Sequence, residues 1–255
     1  MDMGILITGA SAGLGAALAR ECAAPGVTLH LSARDASRLA ATTAACAAKG
    51  AIVNPVGVDV RDAAGMRAWI AGAGRLDLVI ANAGISAGTG TGMEAPEVVR
   101  DIFDTNVTGV LNTCLPAIEA MATQAPALDG LRGRVAVIAS IAAFVAGPTA
   151  PAYCASKSAV QRWAEARDAT ERQRGIRLHA ICPGFIRTAI TDRNAFPMPG
   201  LMEPEEAAQR TLAGIRAGRL RVVYPWPLYA MSRVTGALPP SWRNALLMRF
   251  EPKAA

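Results

Sequence analysis

The chain has 255 residues, is 52% hydrophobic and only 18% charged, and carries a net charge of +6. This length and apolar content suffice for a full core as one domain and exclude a disordered chain. No apolar run approaches the roughly 18 residues of a transmembrane helix; five scattered cysteines and two histidines form neither a disulfide framework nor a metal cluster, as expected of a reduced cytoplasmic protein.

Ile5-Leu6-Ile7-Thr8 reads as a short buried strand, followed by Gly9-Ala10-Ser11-Ala12-Gly13-Leu14-Gly15 and a helix over 16–22. Strand, glycine-rich turn and helix in that order make a phosphate cradle, because glycines admit a pyrophosphate close to backbone and the helix start offers free N–H groups. The glycines at 9, 13 and 15 depart from the common dinucleotide spacing, so a turn that binds nothing stays the alternative. Val27 to Ser32 is a second strand, ending at Ala33-Arg34-Asp35. An acid at that edge would accept from an adenosine ribose 2′-hydroxyl, whereas an arginine can clamp a 2′-phosphate. Ala33 is neutral and Arg34 cationic, which favours NADP(H), with NAD(H) and a merely solvated arginine as the alternatives.

Ser37 to Lys49 reads as an Ala-rich helix closed by Gly50, and Ile52 to Val58 as a third strand ending at Asp59-Val60. Asp59 is a candidate acceptor for an adenine amino group or a cap for the helix over 62–71. Leu76 to Ile80 is a fourth strand, delivering Ala81-Asn82-Ala83-Gly84. Alternating strands and helices indicate a parallel sheet covered on both faces, with ligands at the carboxyl edge. A surface loop over 86–92 precedes a long helix over 97–124 that carries Asn106 and Gly109 in its interior. Both residues cost helix stability, and either a water bound by loosened backbone or close packing would explain them. Arg134 to Ala139 is a fifth strand, bringing Ser140 to the same edge. Tyr153 and Lys157 then stand one helical turn apart on one face. An ammonium there would pull the phenol, ordinarily near pKa 10, towards the range of acid–base work; a half-buried ring beside a solvated lysine is the plain alternative.

Thr8-Gly9-x3-Gly13-x-Gly15, Asn82-Ala83-Gly84, Asn106, Ser140, Tyr153-x3-Lys157 and Pro183-Gly184 in this order resemble the short-chain dehydrogenase/reductase family, in its compact single-domain branch. The resemblance spans about Gly4 to Tyr224. It implies a Rossmann-type doubly wound α/β sheet of about seven parallel strands, and reversible hydride transfer between NAD(P)H and a carbonyl or secondary alcohol. By the same resemblance Tyr153 is the general acid/base, Lys157 lowers its pKa and holds the nicotinamide ribose, Ser140 donates to the developing oxyanion, and Asn106 holds a relay water through its backbone. Gly9, Ser11, Gly13 and Gly15 would line the pyrophosphate, Leu14 would pack beneath the nicotinamide, Asp59, Val60 and Asn82 would border the adenosine, and Ala83 and Gly84 would also contact the cofactor. Thr188 would hold the nicotinamide carboxamide, and Pro183, Gly184 and Ile186 would also contact the cofactor. No metal site is implied. Two long helices, 97–124 and 153–174, resemble those of the family's four-helix subunit bundle, so a homodimer or homotetramer is expected. A dinucleotide-binding sensor or scaffold that keeps the fold without turnover is the competing function.

Between Thr188 and Glu203 lies the segment expected to close over substrate, with Ile190, Arg193, Phe196, Met198, Leu201 and Met202. Together with Phe144 and Val145 it suggests a largely apolar pocket for a small carbonyl or alcohol. Pro204 to Ala217 is a helix and Leu220 to Tyr224 a last strand. The catalytic domain is therefore taken as 1–224, and 225–255 as a C-terminal amphipathic helical extension. Its helices are expected over 228–234 and 241–250, with Trp226, Tyr229, Trp242, Leu246, Leu247 and Phe250 on apolar faces. From Arg216 onward seven basic residues stand against Glu251 alone, so the whole net charge belongs to this end. That confinement argues against a nucleic-acid partner. It leaves two expectations for the extension: packing on the core or a subunit interface, or peripheral contact with an anionic membrane surface.

Overall fold

The computed structural model describes residues 3–89, 92–189, 191 and 197–249. Seven parallel strands form one sheet in the order β3-β2-β1-β4-β5-β6-β7. They are β1 (Met3–Thr8), β2 (Val27–Ala33), β3 (Ile52–Gly57), β4 (Leu78–Ala81), β5 (Gly133–Ile138), β6 (Ile176–Pro183) and β7 (Arg221–Tyr224). The central strands are nearly uninterrupted apolar runs because helices cover both faces. One apolar layer joins Ile5, Ile7, Leu29, Leu31, Ile80 and Leu212, and the other joins Leu6, Val79, Val135, Val137, Ile118 and Leu178. β3 differs for a simple reason: it is an edge strand, so Pro55 is tolerated and Ile52 is exposed.

The helices are α1 (Gly13–Cys22), α2 (Ala40–Ala47), α3 (Ala63–Ala71), α4 (Pro96–Phe103), α5 (Gly109–Thr123), α6 (Pro151–Glu171), α7 (Pro204–Arg216), α8 (Trp226–Ala237) and α9 (Pro240–Leu247). No helix among the described residues is long and apolar enough to cross a membrane. After β1 the chain winds outward through β2 and β3, then returns to place β4 on the other side of β1. The reversal leaves a crevice at the carboxyl ends of β1 and β4, where open α/β sheets bind ligands.

Several expectations need correction. The helix over 37–49 begins with a tight turn at Ala36–Leu39, for which Asp35 is the cap, accepting from the Ser37 backbone N at 2.9 Å. The single helix over 97–124 is two helices joined by a π turn at Asp104–Thr108, and the two costly residues have separate reasons. Asn106 sits in the widened turn, while a Cβ on Gly109 would lie 2.5 Å from Val60 Cγ2. Asp59 caps no helix; Asp62 does, accepting from the Ala64 and Gly65 N–H groups. The loop after Gly84 is half-buried, with Thr89 N donating to the Thr149 carbonyl at 3.0 Å. The first tail helix, expected over 228–234, is longer: β7 ends at Tyr224 and α8 starts at Trp226, with Pro227 in the first turn, where its missing N–H is not needed.

Candidate active site

The glycine turn is shaped by three separate demands. Gly9 and Gly13 have φ of +66° and +53°, which only glycine adopts without strain. At Gly15 any Cβ would lie 2.2 Å from the Gly9 carbonyl oxygen, so its bareness lets α1 dock onto the turn. Asn82 at the end of β4 ties this turn down, its Nδ2 donating to the carbonyls of Thr8 (2.9 Å) and Gly9 (3.1 Å). Thr8 answers by accepting from the Asn82 and Ala83 N–H groups through Oγ1. The Asn82 side chain thus braces β1 against β4 at the place where the sequence puts the adenosine side of a dinucleotide. Thr188 leans over the turn, with Cγ2 2.8 Å from where a Gly13 Cβ would stand. A cradle that any side chain would fill fits a dinucleotide pyrophosphate.

Four groups meet beside this turn. Ser140 leaves β5, accepts from Ala142 N at 3.1 Å, and shares a hydrogen bond with the Tyr153 phenol on the first turn of α6. One turn on, Lys157 is 4% exposed, and its Nζ donates to the Ile138 carbonyl at 2.8 Å. Asn106 is fully buried. Its amide accepts from Ile85 N at 2.9 Å and donates to Ile85 O (2.9 Å) and Ser156 Oγ (3.1 Å), locking the π turn to α6. Gly84 lies between: a Cβ there would be 3.1 Å from Asn106 Oδ1 and 3.3 Å from Lys157 Nζ.

Electrostatically the pair departs from expectation. Burial pushes the Tyr153 phenol above its ordinary value; the Ser140 hydrogen bond works the other way, and the Cys154 thiol adds to the rise. The Lys157 ammonium is 5.9 Å from the ring centroid and turned to Ile138 O. Burial in turn lowers Lys157 to about 8, opposed by the neighbouring Cys182 thiol.

The family profile described as short chain dehydrogenase matches residues 4–196. The chain belongs to the short-chain dehydrogenase family. It is 37% identical over 238 residues to an uncharacterized oxidoreductase of Myxococcus xanthus, covering 92% of each chain. A short-chain dehydrogenase/reductase of Burkholderia phymatum in complex with NAD superposes with a TM-score of 0.79 at 25% identity, over 91% of this chain and 92% of that one. A variant of actinorhodin polyketide ketoreductase with NADPH shares the fold, with a TM-score of 0.76 at 24% identity, over 89% of this chain and 97% of that one. The protein is therefore a dehydrogenase/reductase acting on CH–OH and carbonyl groups.

Other residues singled out in the sequence fall at the same edge of this short-chain dehydrogenase. Arg34 is exposed just past β2, close enough to Asp59 to help lower its carboxyl, although Arg61 is the main cause and holds Asp59 at 2.8 Å. Val60 is buried against Gly109, Leu14 is buried in the core layer under α1, and Ser11 is half-buried in the turn. Pro183 ends β6, Gly184 N donates to the Tyr224 carbonyl at 2.7 Å, and Ile186 bridges to Met202. Of the substrate segment, Ile190, Arg193 and Phe196 lie outside the described residues, as does Phe250 of the tail. Phe144, expected to line the pocket, packs edge-on against Tyr229 of α8 at 5.0 Å, with Arg221 and Arg233 over its ring.

Three features had no signal in the sequence. Ile138 offers Lys157 only a main-chain oxygen. Cys182 reaches Lys157 only because β6 lies beside β5. The bidentate pair of Arg221 with Glu165 (2.5 and 2.6 Å) joins residues 56 positions apart. A groove of about 540 Å³ between Arg132 and Arg174 lies at the opposite, amino-terminal edge of the sheet and holds none of these residues.

Proposed function

We propose that this short-chain dehydrogenase is an NADP(H)-dependent oxidoreductase that interconverts a carbonyl and a secondary alcohol, with Tyr153 as general acid/base. The observation that carries the reading is the hydrogen bond between Ser140 and Tyr153 at the carboxyl edge of the sheet, beside the glycine cradle. A bound nicotinamide dinucleotide supplies the hydride, and the chain's residues manage the proton and the charge. Ser140 Oγ donates to the substrate oxygen as negative charge grows on it, a stabilisation of about 3 kcal/mol in comparable sites. Tyr153 Oη gives its proton to that oxygen, and the resulting phenolate is balanced by the buried Lys157 ammonium one turn away. A phenol held above its ordinary pKa by burial stays protonated at neutral pH, so its proton is present to be given although it is a weaker acid than a free phenol. Near pH 7 the site is accordingly in the protonation state that carbonyl reduction needs, and the rate of alcohol oxidation rises as pH increases. Asn106, with its side chain fixed to Ile85 and Ser156, leaves its backbone in the π turn to hold the water that returns a proton to Lys157.

Gly9, Ser11, Gly13, Leu14, Gly15, Asn82, Ala83, Gly84, Pro183, Gly184, Ile186 and Thr188 line the dinucleotide, with Asp59 and Val60 at its adenosine end. Arg34 takes the 2′-phosphate: it is exposed at the end of β2, no acid occupies Ala33, and neighbouring Asp59 is already held by Arg61. Residues 1–224 form the catalytic domain. Copies pair through the outward faces of α4, α5 and α6, where Phe103 and Leu115 remain exposed, into a homodimer or homotetramer.

Tyr153→Phe tests the mechanism. Turnover of a carbonyl substrate, followed by NADPH absorbance, falls by about a hundredfold or more, while NADPH binding stays within about twofold. Retained turnover would remove Tyr153 as the acid. For the cofactor, Arg34→Ala weakens NADPH by about tenfold and leaves NADH unchanged by fluorescence titration; equal affinities in the parent protein would defeat the assignment.

A further inference from the structure

The C-terminal helices show an inverted surface. α8 seats its inner side on the core: Leu228 lies against Gly184, Tyr229 packs on Phe144, and a Cβ on Gly236 would stand 2.0 Å from the Phe144 carbonyl. Its exposed side is Trp226, Pro227, Met231, Val234 and Ala237, an apolar stripe at helical spacing with Arg233 on its border. Trp226 is 67% and Val234 67% exposed. α9 buries none of its residues and adds Trp242 at 70% exposure, with Leu246 and Met248. A helix that turns its apolar side outward is waiting for a non-aqueous partner.

The charges narrow what that partner is. Over the described residues 225–249 there are three cations, Arg233, Arg243 and Arg249, and no acid. A second copy meeting this face about a two-fold axis would bring the same patch against itself, three arginines facing three with no carboxylate among the described residues 225–249 of either copy. An anionic bilayer satisfies both halves of the pattern, taking tryptophans at its interface and arginines at its headgroups. We propose that α8 and α9 form a peripheral docking surface for membranes containing anionic phospholipid. No residue of the dinucleotide cradle is involved, so the proposal stands or falls separately from the cofactor assignment. Because α8 lies against Phe144 and Gly184, a docked bilayer sits about one helix diameter, ~10 Å, from the segment that follows Ser140.

The test is co-sedimentation of the full-length protein with vesicles of phosphatidylcholine alone or mixed with phosphatidylglycerol. Binding to the mixed vesicles at low salt, at least tenfold weaker on neutral ones and weakened by added salt, is the expected result. Tryptophan emission moves to the blue on binding. Trp226→Ser and Trp242→Ser, whose folding is checked by circular dichroism, each weaken binding about tenfold, and Arg243→Gln and Arg249→Gln each about fivefold. No binding to the mixed vesicles, equal binding to both kinds, or unchanged binding by the two tryptophan variants would overturn the proposal. So would dissociation of the parent oligomer by Trp226→Ser, which would assign the face to a second copy.

Discussion

Replacing Lys157 by methionine should make the protein more stable and inactive at once. The ammonium is 4% exposed, and no carboxylate among the described residues pairs with it; its described hydrogen bond goes to the Ile138 carbonyl. Burial lowers it from 10.5 to about 8, which corresponds to about 3 kcal/mol spent on holding a cation out of water. Methionine keeps much of the volume but gives up the bond to Ile138, at a cost of about 1 kcal/mol. The variant is therefore expected to unfold about 2 kcal/mol later in urea at pH 7. Below about pH 8 both the folded and unfolded wild type hold the proton, so the difference is constant. From about 8 to 10.5 the unfolded chain still binds the proton while the folded chain releases it, and the wild type gains on the variant until the difference vanishes and slightly reverses. Turnover in Lys157→Met falls by about a hundredfold or more. Urea unfolding of both proteins between pH 7 and 10 is the assay. A variant less stable than wild type at pH 7, or a gap that does not change with pH, would refute the reasoning.

Gly15→Ala puts a methyl 2.2 Å from the Gly9 carbonyl and 2.5 Å from Asn82 Nδ2. It should lose about 1–3 kcal/mol in urea unfolding, with a clear drop in dinucleotide affinity by fluorescence. Glu165→Gln leaves Arg221 without its carboxylate and should lower stability by about 1–2 kcal/mol at pH 7, read by thermal melting. Burial by itself would raise the Glu165 carboxyl, but hydrogen bonds from Arg221 and Gln161 outweigh it and hold the group below the ordinary glutamate value of 4.5. Its contribution is then full above about pH 4.5 and lost as pH falls further, so the gap between the two proteins should close in acid.

The amino-acid sequence alone determined the winding of strands and helices, because apolar runs of strand length alternate with Ala-rich helices and glycines mark the turns. It also determined the inventory at the sheet edge: Thr8, the glycines, Asn82, Ser140, Tyr153 and Lys157 follow elements whose carboxyl ends a parallel sheet must align. β6 was hidden, since Arg177 and His179 interrupt its apolar run; the Asp168 carboxylate meets Arg177, and the Arg219 carbonyl meets His179, only in the folded chain. Sequence spacing placed the ammonium of Lys157 one turn from the Tyr153 phenol but could not aim it. Where it points is decided by the Ile138 carbonyl and by burial under a strand 25 residues downstream, so the phenol is raised where spacing predicted it lowered. Likewise the tail announced aromatic and basic residues, while only packing against Phe144 and Gly184 settled which side of α8 faces inward and left its tryptophans outside. Local pattern fixes what a residue is next to along the chain; the dielectric and the partners around it belong to the assembled layers, which no window of sequence contains.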